Sequence, residues 1–516
     1  MMSETLKKNK FAFLSAVILL AHCVYIYLLY LQVPLNSDHA NQILESADIL
    51  GGNPLLKGWN LTGVSFYLSE LPFYVLGTSL FGVDTYAYIF AASLMVITVS
   101  ILGFFLAFGH PRNGIRKVSA YLILTGFPTL TWLGYLRGHC AVFVYFFVLL
   151  LLLRKIFAEE KPSGPYWAAV WLLMACGCMS DMQLLIICGI PVILFCGVNL
   201  LRNVSRFDRR KTAVLAAVMV LGTGTGVLMD AALMRLGGIN KNAFLDTRKF
   251  VDMDRLGEKF LLLGRGILDV FRGSAGIGTD LRGIAALCLS VGVLGLTVFF
   301  ILKVLIRFLR DGSGDEISII LSLSIVLMCF ICFITDIYTS EESARYIAYF
   351  PFAAGVLICR CLSGSGSRIS PRGYVIAFLA AGLILWQPVA FRRVESRQDR
   401  LAAFLEENGL TNGYADFWNA SHTTVASNER VKVRAVRVRV PVLGEPDHVE
   451  GQNWFCKSDW YTDGPGNFIV FDGREYLHVS EENILILLGN PEKILDSGEY
   501  RVYVYDRDLR GEIRWE

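Results

Sequence analysis

Hydrophobic and polar positions in this chain alternate in long blocks. About eleven apolar stretches are long enough, or nearly so, to cross a hydrocarbon core that needs roughly 20 residues of helix. They run from Phe11 to Val33, Tyr86 to Phe108, Val118 to Leu133, Cys140 to Leu153, Tyr166 to Met179, Leu184 to Leu201, Thr212 to Met234, Ile284 to Ile306, Ile317 to Thr335, Tyr346 to Ile358 and Tyr374 to Val389. The first is too long for the apolar part of a removed signal peptide and lacks a small-residue cleavage pattern, so it reads as a retained span. From about Arg392 the pattern becomes that of a soluble domain. A helix is expected from Glu395 to Asn408, closed by Gly409, and another from Glu481 to Leu488. Strands are expected from Val431 to Val440, Asn467 to Asp472 and Tyr500 to Asp506. The period of the first strand slips between Ala435 and Val436, as at a bulge, which keeps Lys432, Arg434, Arg437 and Arg439 on one face. The expected architecture is a polytopic α-helical membrane protein over residues 1–391, with an outer loop at 34–85, followed by a small exported α+β domain over 392–516.

Composition agrees. Hydrophobic residues make up 54% of the 516, charged residues 18%, and the mean hydropathy is +0.49. Basic residues fall in every second connection: Lys7, Lys8 and Lys10; Arg112, Arg116 and Lys117; Arg154, Lys155 and Lys161; Arg202, Arg206, Arg209, Arg210 and Lys211; Lys303, Arg307 and Arg310; Arg360, Arg368 and Arg372. Lys and Arg resist translocation, so these connections and the N-terminus are expected on the cytoplasmic side, and an odd number of spans exports the C-terminal segment. Topology accounts for the positive residues, so a net charge of +3 implies no nucleic-acid partner. Of 12 cysteines only Cys456 lies in the exported domain, which excludes a disulfide framework there. No Cys and His spacing suggests zinc. No internal repeat supports an inverted-repeat transporter.

The chemistry-bearing residues collect on the outer side. Just past the first span come Asn36-Ser37-Asp38-His39, then a short helix capped by Asn36 or Ser37 and closed at Gly51-Gly52, with Asp38 in its first turn. A carboxylate there is favoured as the ion and suited to accept a proton. Leu68 to Gly77, containing Glu70, reads as an amphipathic helix along the surface. The same side receives Lys57, Arg137 and His139, Asp181 between two spans, Asp336, and Glu341-Glu342-Ser-Ala-Arg345-Tyr346.

An Asp just past the first span, surface helices after it, Ser180-Asp181 between paired spans and Ala344-Arg345-Tyr346 opening a late span together resemble the GT-C glycosyltransferases, which include protein O-mannosyltransferases and aminoarabinose transferases. The resemblance covers roughly residues 1–390 in layout. It implies an inverting transferase whose partners are a polyprenyl-phosphate-linked sugar donor, an extracytoplasmic acceptor and the lipid bilayer, with Asp38 as the catalytic base and basic residues on the donor phosphate. Arg345 has the planar guanidinium that matches phosphate, Arg137 and Lys57 are further cations, and His39, Asp181 and Glu342 complete the expected binding set. No cofactor is expected, and the residues assign no metal and leave metal dependence open. Asp38-His39 stands where many members have Asp-Glu, and Glu70-Leu71-Pro72 where they have a basic residue and two prolines, so that residue's phosphate contact is not carried over. Asp252-Met-Asp254 and Trp460-Tyr-Thr-Asp-Gly464 look like oligosaccharyltransferase metal and acceptor motifs, too short to assign a metal.

Each residue also has a plainer role open to it. Asp38 can serve as a cap, Arg345 as ion-pair partner of Glu341 or Glu342, and Asp181 as a turn cap. Glu70, His39, Arg137 and Lys57 can be anchoring or solvated groups. Trp59, Tyr67, Phe73 and Tyr74 suit an interfacial belt, and the Arg face of the exported strand a solvated one. The competing functions are a transporter or flippase, for which Asp230 is the in-span acid, and a polymerase or ligase of lipid-linked glycans using the loop from Arg235 to Arg282.

Overall fold

A computed structural model of the chain describes residues 2–108, 114–202, 208–241, 250–272, 280–363, 371–439, 448–462, 464–473 and 479–515. Arg112, Arg206 and Arg368 of the basic connections, Val440 and Asp463 lie outside them. The first part is helical: α1 (Met2–Tyr30), α2 (Ser37–Leu50), α3 (Leu71–Phe81), α4 (Thr85–Phe108), α5 (Gly114–Thr125), α6 (Leu130–Leu136), α7 (Cys140–Ala158), α8 (Gly164–Ser180), α9 (Ile190–Arg202), α10 (Arg209–Arg235), α11 (Leu256–Val270), α12 (Leu281–Asp311), α13 (Glu316–Ile334), α14 (Phe350–Ser363) and α15 (Pro371–Leu385). A π-helical turn, Leu185–Gly189, leads into α9, and a 3-10 turn, Glu341–Ile347, leads into α14. Among the described residues, seven segments are long and apolar enough to cross a membrane: α4, α7, the π turn with α9, α10, α12, α13, and the 3-10 turn with α14. α1 and α15 carry shorter apolar stretches. The protein is a multi-pass membrane protein.

The chain departs from the expected spans where local chemistry outweighs hydropathy. Val118 to Leu133 is not one helix, because Pro128 disfavours helical geometry at Phe127. α5 ends at Thr125, and Thr129 restarts the chain as α6 by accepting the Trp132 N–H at 3.1 Å. The loop from Arg235 to Arg282 contains an unexpected helix, α11, packed on the 3-10 turn and α13. α3 is apolar and partly sunk against α4. At Gly77 a Cβ would lie 2.6 Å from the Ala87 carbonyl oxygen, so only glycine permits that approach.

The C-terminal part adds α16 (Arg397–Glu407), α17 (Phe417–Ala426) and α18 (Glu481–Leu488). Its strands are β3 (Asn412–Ala415), β4 (Lys432–Arg439), β5 (His448–Gly451), β7 (Phe468–Phe471), β8 (Lys493–Asp496), β9 (Arg501–Val504) and β10 (Ile513–Arg514), in the order β10-β5-β4-β3-β7-β9-β8. The slip in β4 is real. Residues 432–435 pair in parallel with β3, whereas 436–439 pair antiparallel with β5, and Ala435 and Val436 are both buried. Its Arg face is not simply solvated: Arg434 lies 4.3 Å from the Trp460 ring centroid and Arg437 pairs with Glu450 at 2.5 Å.

A second, three-stranded sheet joins the two parts. β1 (Trp59–Leu61) lies between β2 (Asn240–Lys241) and β6 (Cys456–Lys457), with Asn60 opposite both Asn240 and Cys456. Asp48 of α2 fastens it, accepting from Trp59 Nε1 at 2.8 Å and Lys457 Nζ at 3.1 Å. Trp59 and Tyr74 are fully buried and form no interfacial belt. α17 packs on α2, where Ser421 donates to Asn41 at 2.7 Å.

Candidate functional site

Asp38 sits where α1 gives way to α2. Asn36 Oδ1 accepts the His39 N–H at 3.1 Å, which starts the helix and fixes Asp38 in its first turn. The residue is half-buried, and its Oδ1 is closed from solvent with no hydrogen-bond partner. Burial pushes the carboxyl above the ordinary carboxylate value, while the guanidiniums of Arg345 and Arg137 pull it down and Glu342 adds to the rise. A base with raised proton affinity is better matched to a hydroxyl proton than a free carboxylate.

Two arginines on different elements act electrostatically on this carboxyl. Arg137 ends α6, and its Nη1 donates to the Pro34 carbonyl at 3.0 Å, which ties the entry to α2. Arg345 rides the 3-10 turn, stacked 5.3 Å from the Tyr346 ring centroid, with its Nε buried and without an acceptor. Among the described residues no ion pair joins Arg345 to Glu341 or Glu342, both of which are exposed.

Behind the arginines lies a polar brace. His139 Nδ1 and Asp181 Oδ2 are 2.6 Å apart and both buried. Asp181 Oδ1 accepts the Gln183 N–H at 2.9 Å, and Gln183 Nε2 donates to the Tyr346 carbonyl at 2.9 Å. The His139 ring is held between Phe66 and Tyr346, at 5.1 and 5.0 Å. Asp181 thus both ends α8 and holds, through His139 and Gln183, the turn that carries Arg345. Glu70 is buried beside this brace, accepting from Ser69 and, at 3.1 Å, from the Ala141 N–H in the first turn of α7. Burial, with Asp181 second, pushes Glu70 up to about 8, so it is largely protonated at neutral pH.

The structure therefore brings together Asp38, Arg137, Arg345, Glu342 and, through the brace, Asp181. It turns the His39 ring into a tyrosine stack, within electrostatic range of Arg137 and Arg345, and places Lys57 elsewhere. His39 is sandwiched between Tyr74 and Tyr88, with ring centroids 6.2 and 5.7 Å away and near-parallel planes, and burial lowers its pKa to about 3, which keeps it neutral. Lys57 is exposed in a turn, its N–H donating to Asn53 Oδ1 at 2.9 Å. Gln183 and the burial of Glu70 were not legible in the sequence. A polar pair flanking a break between spans, Glu70 before Pro72 and Gln183 after Asp181, is the signal that was there. Of the two short motifs, Asp252 and Asp254 are exposed around a 3-10 turn, and Trp460 packs edge-on against Trp59 at 5.1 Å.

The C-terminal domain covers the same mouth. The Val394 N–H donates to the Leu31 carbonyl at 2.9 Å just before α2, and Arg393 pairs with Asp399 at 2.5 Å. His422 of α17 is buried within electrostatic range of Arg137, and burial lowers its pKa to about 4.

No family model matches the chain, and no curated protein matches it. Solved structures similar to it include AglB and ArnT. The archaeal oligosaccharyltransferase AglB from Archaeoglobus fulgidus, in complex with an inhibitory peptide and a dolichol-phosphate, aligns at TM-score 0.44 and 12% identity over 80% of this chain, which spans 64% of the AglB chain. ArnT from Cupriavidus metallidurans, in the apo state, aligns at TM-score 0.41 and 11% identity, over 95% of this chain and 98% of its own.

Proposed function

We propose that this protein is a membrane glycosyltransferase that moves a sugar from a polyprenyl-phosphate donor to an acceptor outside the cytoplasm, with the N-terminus inside and the C-terminal domain outside. The observation that carries this reading is the gathering of Asp38, its Oδ1 unengaged, with two guanidiniums that form no ion pair among the described residues, at one end of a helical bundle. Asp38 takes the proton of the acceptor hydroxyl as that oxygen bonds to the anomeric carbon. The bond from that carbon to the phosphate oxygen breaks, and the polyprenyl phosphate leaves with the electron pair, its charge met by Arg345 and Arg137. Displacement from the opposite face inverts the anomeric centre.

A carrier would be expected to hold ionisable groups along a path through its spans. Asp230 instead pairs with Lys241 at 2.7 Å near the end of α10, which favours the transferase. The test is consumption of a panel of polyprenyl-phosphate sugars by membranes containing wild type or Asp38→Asn at matched expression. Turnover by wild type that falls about 10²- to 10⁴-fold in the variant is expected. No turnover on any donor, or equal turnover in both, overturns the proposal.

A further inference from the structure

At the far end of α6 from Arg137, roughly 12 Å along the helix, lies a cleft that the transfer chemistry does not use. It encloses about 160 Å³ between α6, α12 and α15, and its lining includes Thr129, Arg272, Asp280, Arg282, Leu385 and Gln387. Its floor is a small apolar cluster of Phe127, Ala286, Ala381 and Leu385. Arg272 is 4% exposed; its Nη atoms donate to the carbonyls of Leu124 and Phe127, and its Nε has no partner among the described residues. Arg282 is exposed and donates to the carbonyls of Ile384, at 3.1 Å, and Trp386. Each guanidinium has five N–H donors, so both retain unused ones after these carbonyl contacts. The lining carboxylate, Asp280, caps α12 by accepting the Gly283 N–H at 2.9 Å. Among the described residues it forms no ion pair with either arginine.

An apolar groove begins at this corner and runs down the membrane face of α1. Leu20, Ala21, Val24, Leu28 and Val389 line it with Tyr25, over about 380 Å³. Tyr25 joins groove to cleft, since its hydroxyl accepts the Gln387 N–H at 2.8 Å. Two cations at the head of a hydrocarbon-lined channel match an anionic phosphate joined to an aliphatic chain. We propose that this corner is a specific site for a phosphate-bearing membrane lipid, the phosphate between Arg272 and Arg282 and the chain along α1. The inference does not rest on the transferase reading.

The test uses the full chain, purified in detergent and incubated with phosphatidylglycerol or phosphatidylcholine of equal chain length, with retained lipid read by native mass spectrometry. Wild type and Asp38→Asn should retain phosphatidylglycerol about tenfold better than phosphatidylcholine. Arg282→Gln should lose roughly tenfold by removing a charged contact, and Ala21→Trp, on the exposed face of α1, should weaken retention by filling the groove. Thermal melts establish that the variants are folded; should Arg282→Gln not fold, Ala21→Trp decides. No preference in wild type, or wild-type retention in the folded variants, overturns the site. Binding of inorganic phosphate that Ala21→Trp leaves intact, without lipid retention, overturns the lipid assignment.

Discussion

The two ends of the helical bundle handle charge in opposite ways. At the end where α7 and α14 finish and α13 begins, charged groups close on one another. Arg360 pairs with Asp315 through two nitrogens and donates to the Leu106 carbonyl at 2.7 Å, Asp315 also caps α13 through the Ser318 N–H at 2.9 Å, and Arg154 donates to the Phe105 carbonyl at 2.7 Å. At the end where α2 begins, Asp38 Oδ1, Arg345 Nε, Gln183 Oε1 and both oxygens of Glu45 are buried without partners. Leaving such groups unpaired costs about 1–3 kcal/mol each. The contrast is in the charged groups: the arginines and the acid at one end close on one another, whereas Asp38 and Arg345 at the other keep buried atoms unengaged.

Exchanging one acid at each end tests this most severely. Asp38→Asn should lower turnover by about 10²- to 10⁴-fold with little loss of melting temperature. Asp315→Asn keeps a capping oxygen but loses the ion pair with Arg360, so it should cost up to about 1 kcal/mol of stability and leave turnover per folded molecule unchanged. Paired melts and donor assays on the two variants decide, and the contrast fails if both lose the same property.

Arg345→Lys keeps the charge but loses the planar fork, so the KM for donor should rise about tenfold or more. In Arg345→Gln the pull that lowers the Asp38 pKa is gone. A base works only when deprotonated, so the acid limb of the pH–rate profile should move to higher pH in this variant. A limb that stays in place would detach Arg345 from Asp38.

Glu70 sharpens the contrast through stability. Its folded pKa is about 8, above the ordinary 4.5, so the folded chain keeps a proton there that the unfolded chain has lost. Stability should therefore fall as pH rises between these values and level off above them. Glu70→Gln should remove that slope, and melts at pH 5 and pH 8 should show wild type losing several degrees more than the variant. The smallest effect belongs to His39→Phe. The side chain is a neutral ring between two tyrosines, so turnover should stay within about twofold; a large loss would return His39 to the site.

Legibility followed the range of the interactions. α2, with its Asn36 cap and Gly51 end, and α18 were readable because their signals are local. The β4 slip was readable because burial alternates along one strand. The break at Pro128 was missed because hydropathy averages over it, and α11 because its loop was read for charge. In the site, Asp38 and Arg345 could be expected on one face, but the brace that holds the Arg345 turn could not. His139 and Asp181 are 42 positions apart, and each looked like a surface residue. Tertiary packing decided His39 too, since a histidine beside an aspartate carries no sign of the tyrosines that enclose it.

The small β2-β1-β6 sheet also sets a schedule for assembly. Asp48 and Lys457, which bind across it, are 409 positions apart, and Asn60 cannot meet Cys456 until every span between them has been made. The spans can be threaded one after another by a ribosome-coupled insertion machine, but the clasp around α2 can shut only after Cys456 and Lys457 have been made. A nascent chain therefore carries α2 and its Asp38 in an unfastened loop while all the spans are laid down, and that loop is fastened in a single later closure.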